Sequence, residues 1–240
     1  NNLAGRTALV TGSTSGLGKA IAVQLAAEGA TVVVHGRNAS RGEALVAEIT
    51  EAGGTARFVP ADLSDTTQIE RLIADVGDVD ILVNNAGLAA FSPTADLPAA
   101  TFEALFANNV RAPFMLVAAF APKMAANGTG SIVNISSMSA KVGLPLGSAY
   151  GASKAALESM TRSWAAEYSP SGVRVNAVSP GPVYTDGANP DRTQALGSTT
   201  PMNRAAQPNE IAELVVFLAS PQASYITGAT IAADGGRTAI

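Results

Sequence analysis

The chain contains no cysteine, which excludes disulfides, iron–sulfur clusters, thiolate-bound zinc and thiol nucleophiles. It contains one histidine, His35, so a multi-histidine metal centre is excluded and a Ser-His-Asp triad has a single possible base. Charged residues make up only 14% of the chain, and its 15 basic residues are outnumbered by 19 acidic ones, for a net charge of −4. An extended nucleic-acid footprint is therefore not expected. No uninterrupted apolar run approaches the roughly 18–20 residues that a membrane span needs. The first residues, Asn1 to Arg6, lead into a strand and lack a signal-peptide layout. The expectation is a soluble, cytoplasmic protein with no metal, no nucleic-acid partner and no membrane.

The chain is 47% hydrophobic over 240 residues, enough for one well-buried α/β domain. Its 23 glycines and 13 prolines are scattered, unlike those of a fibrous or disordered chain. Short apolar runs at Thr7–Thr11, Thr31–His35, Thr55–Val59, Asp80–Asn84, Ser131–Ser136, Arg174–Ser179 and Thr230–Ala233 read as strands. Helical stretches separate them, including Leu17–Glu28, Ser40–Ala52 and Tyr150–Tyr168. This alternation predicts a single doubly wound Rossmann-type domain over residues 1–240, with a mostly parallel seven-stranded sheet covered by helices on both faces. Pro98–Ala126 reads as a long helical stretch, apolar nearly all round between Ala112 and Ala121, which predicts burial on all sides with a partner subunit contributing. Tyr184–Gln207 is small, polar and broken by Pro190, Gly197 and Pro201. It is expected to be a mobile substrate loop, a simple surface loop being the alternative.

Thr11-Gly12-Ser13-Thr14-Ser15-Gly16-Leu17-Gly18 joins the first strand to the first helix. Glycines there let backbone N–H groups approach a pyrophosphate, which the helix N-terminus favours electrostatically. Near the end of the second strand, about 20 residues on, a carboxylate would bind a ribose 2′-hydroxyl. The sequence there is His35-Gly36-Arg37-Asn38. Arg37 suits a 2′-phosphate instead, so NADP(H) is expected over NAD(H). His35 reads as a strand-end residue rather than a catalyst.

Tyr150 and Lys154 sit four residues apart at the start of a helix and share a face. A neighbouring ammonium favours phenolate, so Lys154 is expected to lower the pKa of Tyr150 from about 10 and make it a general acid/base.

Taken in order, the glycine-rich turn, Asp62, Asn84-Asn85-Ala86-Gly87, Asn109-Val110, Asn134-Ile135-Ser136-Ser137, Tyr150-x-x-x-Lys154 and Pro180-Gly181-Pro182-Val183-Tyr184-Thr185 resemble the classical short-chain dehydrogenase/reductase family over essentially the whole chain. Ser137 lies 13 residues before Tyr150, as in that family. The turn is Gly-x-x-x-Gly-x-Gly rather than the commoner Gly-x-Gly-x-x-Gly. The resemblance implies catalytic roles for Asn109, Ser137, Tyr150 and Lys154, although Asn108 beside Asn109 leaves that position open by one residue. Tyr150 would exchange a proton with the substrate oxygen and Ser137 would hydrogen-bond it. Lys154 would bind the nicotinamide ribose, and Asn109 would hold a water relaying protons toward Lys154. The implied cofactor contacts are Gly12, Ser15, Gly16, Leu17 and Gly18 in the turn, Arg37, Asp62 and Leu63 at the adenosine end, and Asn85, Ala86 and Gly87. Tyr150, Lys154, Pro180, Gly181, Val183 and Thr185 complete the set at the nicotinamide.

Carrier-protein reductases of this family often place basic residues before the fifth and sixth strands. Here those loops, Ala125–Gly130 and Ser169–Gly172, contain no Lys or Arg. Steering of an acidic carrier would be poor, so the expected substrate is a free small ketone or secondary alcohol. Ser139, Leu88, Met138, Leu144, Leu146 and Tyr184 are the expected pocket residues. The alternatives are a 3-oxoacyl-thioester reductase, a non-catalytic nucleotide-binding regulator, and an isomerase or dehydratase on the same fold. The family resemblance also implies a homodimer or homotetramer paired through the two long helices.

Overall fold

The computed structural model describes residues 2–240. Seven strands alternate with helices: β1 (Thr7–Val10), α1 (Gly16–Ala27), β2 (Thr31–Gly36), α2 (Ala39–Glu51), β3 (Thr55–Pro60), α3 (Thr66–Val76) and β4 (Ile81–Asn84) form the first half. The second half contains α4 (Ala99–Phe106), α5 (Ala112–Ala126), β5 (Gly130–Ile135), α6 (Ser148–Tyr168), β6 (Val173–Pro180), α7 (Pro190–Gly197), α8 (Pro208–Ala219) and β7 (Thr230–Ala233). The strand order is β3-β2-β1-β4-β5-β6-β7, and every pair is parallel. The order reverses between β1 and β4, so a crevice opens beyond their carboxyl ends, where ligands bind in such sheets.

Side-chain alternation divides the core. Ala8, Val10, Val32, Val34 and Val83 pack with Ile21, Leu25, Ile211 and Val215 from α1 and α8. Leu9, Val33, Leu82, Ile132 and Val175 point the other way, onto Ile69, Leu116, Phe120, Leu157 and Trp164 from α3, α5 and α6. Both faces of the central strands are thus covered, which is why these strands read as continuous apolar runs.

Two expectations are corrected. The stretch after Pro98 is two helices joined by a π-helical turn, Ala107–Arg111, which brings the buried Asn109 inward. Within the single chain its second helix is covered on one side, and its expected burial by a partner subunit stays an expectation. Leu116, Val117 and Phe120 enter the core, while Phe114 is 54% exposed on the opposite side. Ala99–Ala126 has the length and apolar composition to cross a membrane, yet these same side chains are core residues of the sheet. The segment Tyr184–Gln207 is not irregular throughout, because it contains α7. Pro190, read as a breaker, is the first residue of that helix, where its missing N–H costs nothing, and Asn189 caps it by accepting the Arg192 N–H at 3.0 Å.

Candidate active site

The turn after β1 is shaped by close backbone approach. Gly12 has φ +64°, and a Cβ there would lie 2.9 Å from Ala86 Cα. A Cβ on Gly18 would run into the Gly12 carbonyl and Asn85, so that glycine lies beneath the turn rather than along the cleft wall. Asn85 Nδ2 donates to the Thr11 and Gly12 carbonyls at 2.9 and 3.2 Å, and the Asn85 and Ala86 N–H groups both donate to Thr11 Oγ1 at 3.0 Å. These bonds tie the turn to the end of β4. Ser15 caps α1 without a side-chain bond, and the first helical turn has no acidic residue. Its orphan amides and dipole suit an anion. One of those amides, Gly16 N–H, donates to Asp186 of the Tyr184–Gln207 segment at 3.3 Å. The Gly12 N–H does not face the cleft as an anion donor; it donates to His35 Nδ1 at 3.0 Å.

A cavity of about 540 Å³ runs from this turn over the ends of β2 and β3, lined by Gly12, Ser15, Arg37, Asp62, Leu63, Asn85, Ala86 and Gly87. Arg41, at the start of α2, lines it too and was not anticipated. Its signal was an i, i+4 spacing from Arg37 across the strand end. Asp62 accepts from the Ser64 N–H and hydroxyl, at 2.9 and 2.8 Å, and these bonds hold its carboxyl below the usual range. Orphan amides at a helix start, a backbone wall without side chains and two guanidinium groups fit a dinucleotide carrying a pyrophosphate and an additional phosphate.

Asn85, Gly87 and Leu88 are shared with a second cavity of about 330 Å³, whose lining includes Leu17, Ser137, Tyr150, Lys154, Pro180, Gly181 and Thr185. The strand end of β5 delivers Ser137 and the first turns of α6 deliver Tyr150 and Lys154. Lys154 is buried. Its Nζ donates to the Ile135 carbonyl at 2.8 Å and lies 6.0 Å from the Tyr150 ring centroid. Burial lowers its pKa from 10.5 to about 8. The Tyr150 phenol is not shifted down as expected. Burial raises its pKa, and a hydrogen bond with the Ser137 hydroxyl offsets this only in part. Desolvation of the phenolate outweighs that hydrogen bond, with the Lys154 ammonium 6.0 Å from the ring centroid.

Asn109, not Asn108, reaches this group. Its Oδ1 accepts the Leu88 N–H at 2.8 Å, and its Nδ2 donates to the Leu88 carbonyl and to Ser153 Oγ, each at 2.9 Å. A Cβ on Gly87 would lie 3.1 Å from Asn109 Oδ1 and 3.2 Å from Lys154 Nζ, so both side chains end against the space beside this glycine. Asn108 instead donates to the Ala104 carbonyl. Ser136 turns away from Tyr150 and donates to the buried Glu158 at 2.8 Å. Behind the site, Asn84 donates to Asn134 and Asn134 to Thr161, both at 2.8 Å, which pins β4 and β5 to α6.

Of the expected substrate residues, only Leu88 lines the cavity at Tyr150. Met138 and Ser139 are buried beneath it, because the short 3₁₀ turn Met138–Ala140 tucks both inward. Tyr184 is drawn off by a bond from its N–H to the Ala206 carbonyl, and Val183 pairs with Ala206 and packs on the core instead of the cleft. Leu144 flanks Gly147, and Leu146 is 52% exposed. The residue missed is Phe91. Its ring packs 5.5 Å from that of Tyr150, and the Arg192 guanidinium from α7 lies over it, 5.1 Å from its centroid. An aromatic standing alone directly after the run Ala86–Ala90 was the available signal.

A family profile described as enoyl-(acyl carrier protein) reductase matches residues 12–238. A solved structure described as a short-chain dehydrogenase/reductase family protein superposes with a TM-score of 0.93 at 52% identity, covering 100% of both chains. The chain belongs to the classical short-chain dehydrogenase/reductase family. It is an oxidoreductase by that membership. It is also similar to cyclopentanol dehydrogenase of a Comamonas species, at 37% identity over 98% of this chain and 97% of the relative. A structure from Beutenbergia cavernae, described as a candidate NAD(P)-dependent gluconate 5-dehydrogenase with NADP bound at low occupancy, matches with a TM-score of 0.94. Its identity is 39%, over 100% of this chain and 99% of that one.

Proposed function

We propose that the protein is an NADP(H)-dependent oxidoreductase interconverting small ketones and secondary alcohols. The observation that carries this reading is the convergence of Ser137, Tyr150 and Lys154 on one cavity that opens into the cleft framed by Arg37. The dinucleotide would be held by the turn amides, Arg37, Asp62 and Leu63 at one end. At the other it would meet Lys154, Pro180, Gly181 and Thr185; Val183 enters only through its backbone. When bound, it supplies the hydride that adds to the carbonyl carbon, or accepts it in reverse.

The protein's own groups move the proton. Tyr150 donates its phenolic proton to the carbonyl oxygen as a C–H bond forms at carbon and the C–O π bond breaks. Ser137 donates a hydrogen bond to the same oxygen, aimed where negative charge develops. Lys154 stabilises the phenolate left behind and, with Asn109 bracing the Gly87–Leu88 backbone, lies on the path by which Tyr150 is reprotonated. Leu88 lines this cavity and Phe91 packs against the Tyr150 ring, which suits a partly apolar substrate. Following nicotinamide absorbance with NADPH against small ketones, a β-ketoester and a β-ketoacyl thioester tests the reading. Turnover of free ketones supports it, and exclusive turnover of the thioester contradicts the substrate class.

A carrier-linked acyl thioester reductase is the second reading, favoured by the description of the matching family profile. The absence of basic residues from Ala125–Gly130 and Ser169–Gly172 argues against it.

The exposed Phe114 on α5 lies 6.4 Å from the tilted ring of the buried Trp164 on α6, so an apolar side chain stands at the surface where the two helices meet. This face is the proposed pairing surface of a homodimer or homotetramer. Sedimentation at micromolar concentration should give a dimer or larger species, and a stable monomer would contradict it.

A further inference from the structure

The proposed chemistry leaves the chain's one histidine unused. His35 is 2% exposed at the end of β2, with its ring against the phosphate turn. Gly12 N–H donates to its Nδ1 at 3.0 Å. Ser13 N–H donates to its carbonyl at 2.9 Å, and the His35 N–H donates to Ser13 Oγ at 2.9 Å. With a longer bond from Ser13 Oγ to the His35 carbonyl at 3.4 Å, four bonds fasten Gly12 and Ser13 to this residue, and one of them depends on the imidazole. An Nδ1 that accepts leaves the proton on Nε2, so the ring is the neutral Nε2–H tautomer. Nε2 itself is buried without a hydrogen bond of normal geometry, and the ring borders the cleft beside Arg37 and Asp62.

We propose that His35 is the positioning residue of the cofactor turn: its neutral imidazole holds the Gly12 amide back, sets the turn in the shape that receives a pyrophosphate, and releases it on protonation. This rests on the dinucleotide reading above. The turn has little freedom to compensate. Gly12 sits at positive φ with Ala86 against it, and Gly18 is pressed on the Gly12 carbonyl. An imidazolium would place a second donor, Nδ1–H, against the Gly12 N–H and replace a bond with repulsion. The charged groups nearby are Arg37 after β2, Arg41 on α2 and Asp62 after β3. Residues Thr11–Ser15 and Asn85–Gly87 carry none, and Lys19 on α1 is paired with Glu48 at 2.7 Å. Burial lowers the His35 pKa from 6.5 to about 4, against weaker upward pulls from the Ala61 carbonyl and Asp62. The turn is therefore held at neutral pH and released in acid.

A lone histidine makes the test direct, since nitrogen-15 labelling of histidine yields the spectrum of a single imidazole. The expected spectrum at neutral pH is the Nε2–H tautomer, converting to imidazolium only well below the ordinary imidazole range, with NADPH affinity falling over the same titration. His35→Asn keeps an acceptor that does not ionise; its Kd for NADPH at neutral pH should stay within about threefold of wild type and lose the ring's share of the acid dependence. His35→Leu should raise Kd about tenfold or more, with kcat at saturating cofactor little changed. An Nδ1–H tautomer or an imidazolium at neutral pH overturns the proposal, as does a folded His35→Leu protein that binds NADPH like wild type. Should His35→Leu fail to fold, the tautomer and the pH profile of His35→Asn decide. Wild-type protein that binds no dinucleotide overturns the cofactor reading itself, and this proposal with it.

Discussion

Tyr150→Phe should lower kcat/KM for carbonyl reduction by about 10³-fold or more, while the Kd for NADPH changes by less than about threefold. The substitution removes one oxygen and leaves the ring, so the packing of Phe91 against it survives. What disappears is the proton donor and one of the two hydrogen bonds to the substrate oxygen. Ser137 cannot replace it, because a serine hydroxyl is far too weak an acid to deliver a proton on its own. The split between lost turnover and retained cofactor binding separates a chemical role from a structural one. Steady-state kinetics together with a fluorescence titration of NADPH measure both. A Tyr150→Phe enzyme with near wild-type turnover would refute the mechanism.

The second large effect concerns cofactor choice. Arg37→Ala should reduce the preference for NADPH over NADH by about 10- to 100-fold, the range spanned by one or two charge-assisted hydrogen bonds. NADH, which has no 2′-phosphate, should bind almost as before. Arg41 lines the same end of the cleft and should retain part of the preference, so the double substitution should abolish it. Both side chains are exposed, and their contribution should therefore weaken with added salt. The ratio of kcat/KM values for the two cofactors reports the effect. An equal ratio in wild type, unchanged by Arg37→Ala, would contradict the assignment.

The sheet was legible because its strands are short apolar runs that end at turn residues. Thr31–His35 and Thr230–Ala233 were read to within a residue, and both faces of the central strands are buried. Helix interruptions were not. The apolar spacing around Ala107–Arg111 continues smoothly through the π turn, so nothing in the pattern marks the register change that swings Asn109 inward. In α7, Pro190 carried two opposite meanings, and the decisive signal was the preceding Asn189 cap. Site residues in local motifs were named from spacing, since Tyr150 and Lys154 share a helix face however the rest of the chain folds. His35, Arg41 and Phe91 gain their importance from partners distant in sequence: Gly12, the ribose end of the cleft, and Tyr150. The rise in the Tyr150 pKa was likewise hidden, because burial depends on the whole fold while the Tyr–Lys spacing is local.

Hydride transfer is the central claim, and isotope tracing reads it most directly. Wild-type protein and Tyr150→Phe would each be incubated with NADPH deuterated at the transferring position and a small ketone, and the product alcohol examined by mass spectrometry. The account predicts one deuterium on the carbinol carbon with wild type and almost no alcohol with Tyr150→Phe. Alcohol formed without label, or equal labelled product from both proteins, would contradict it.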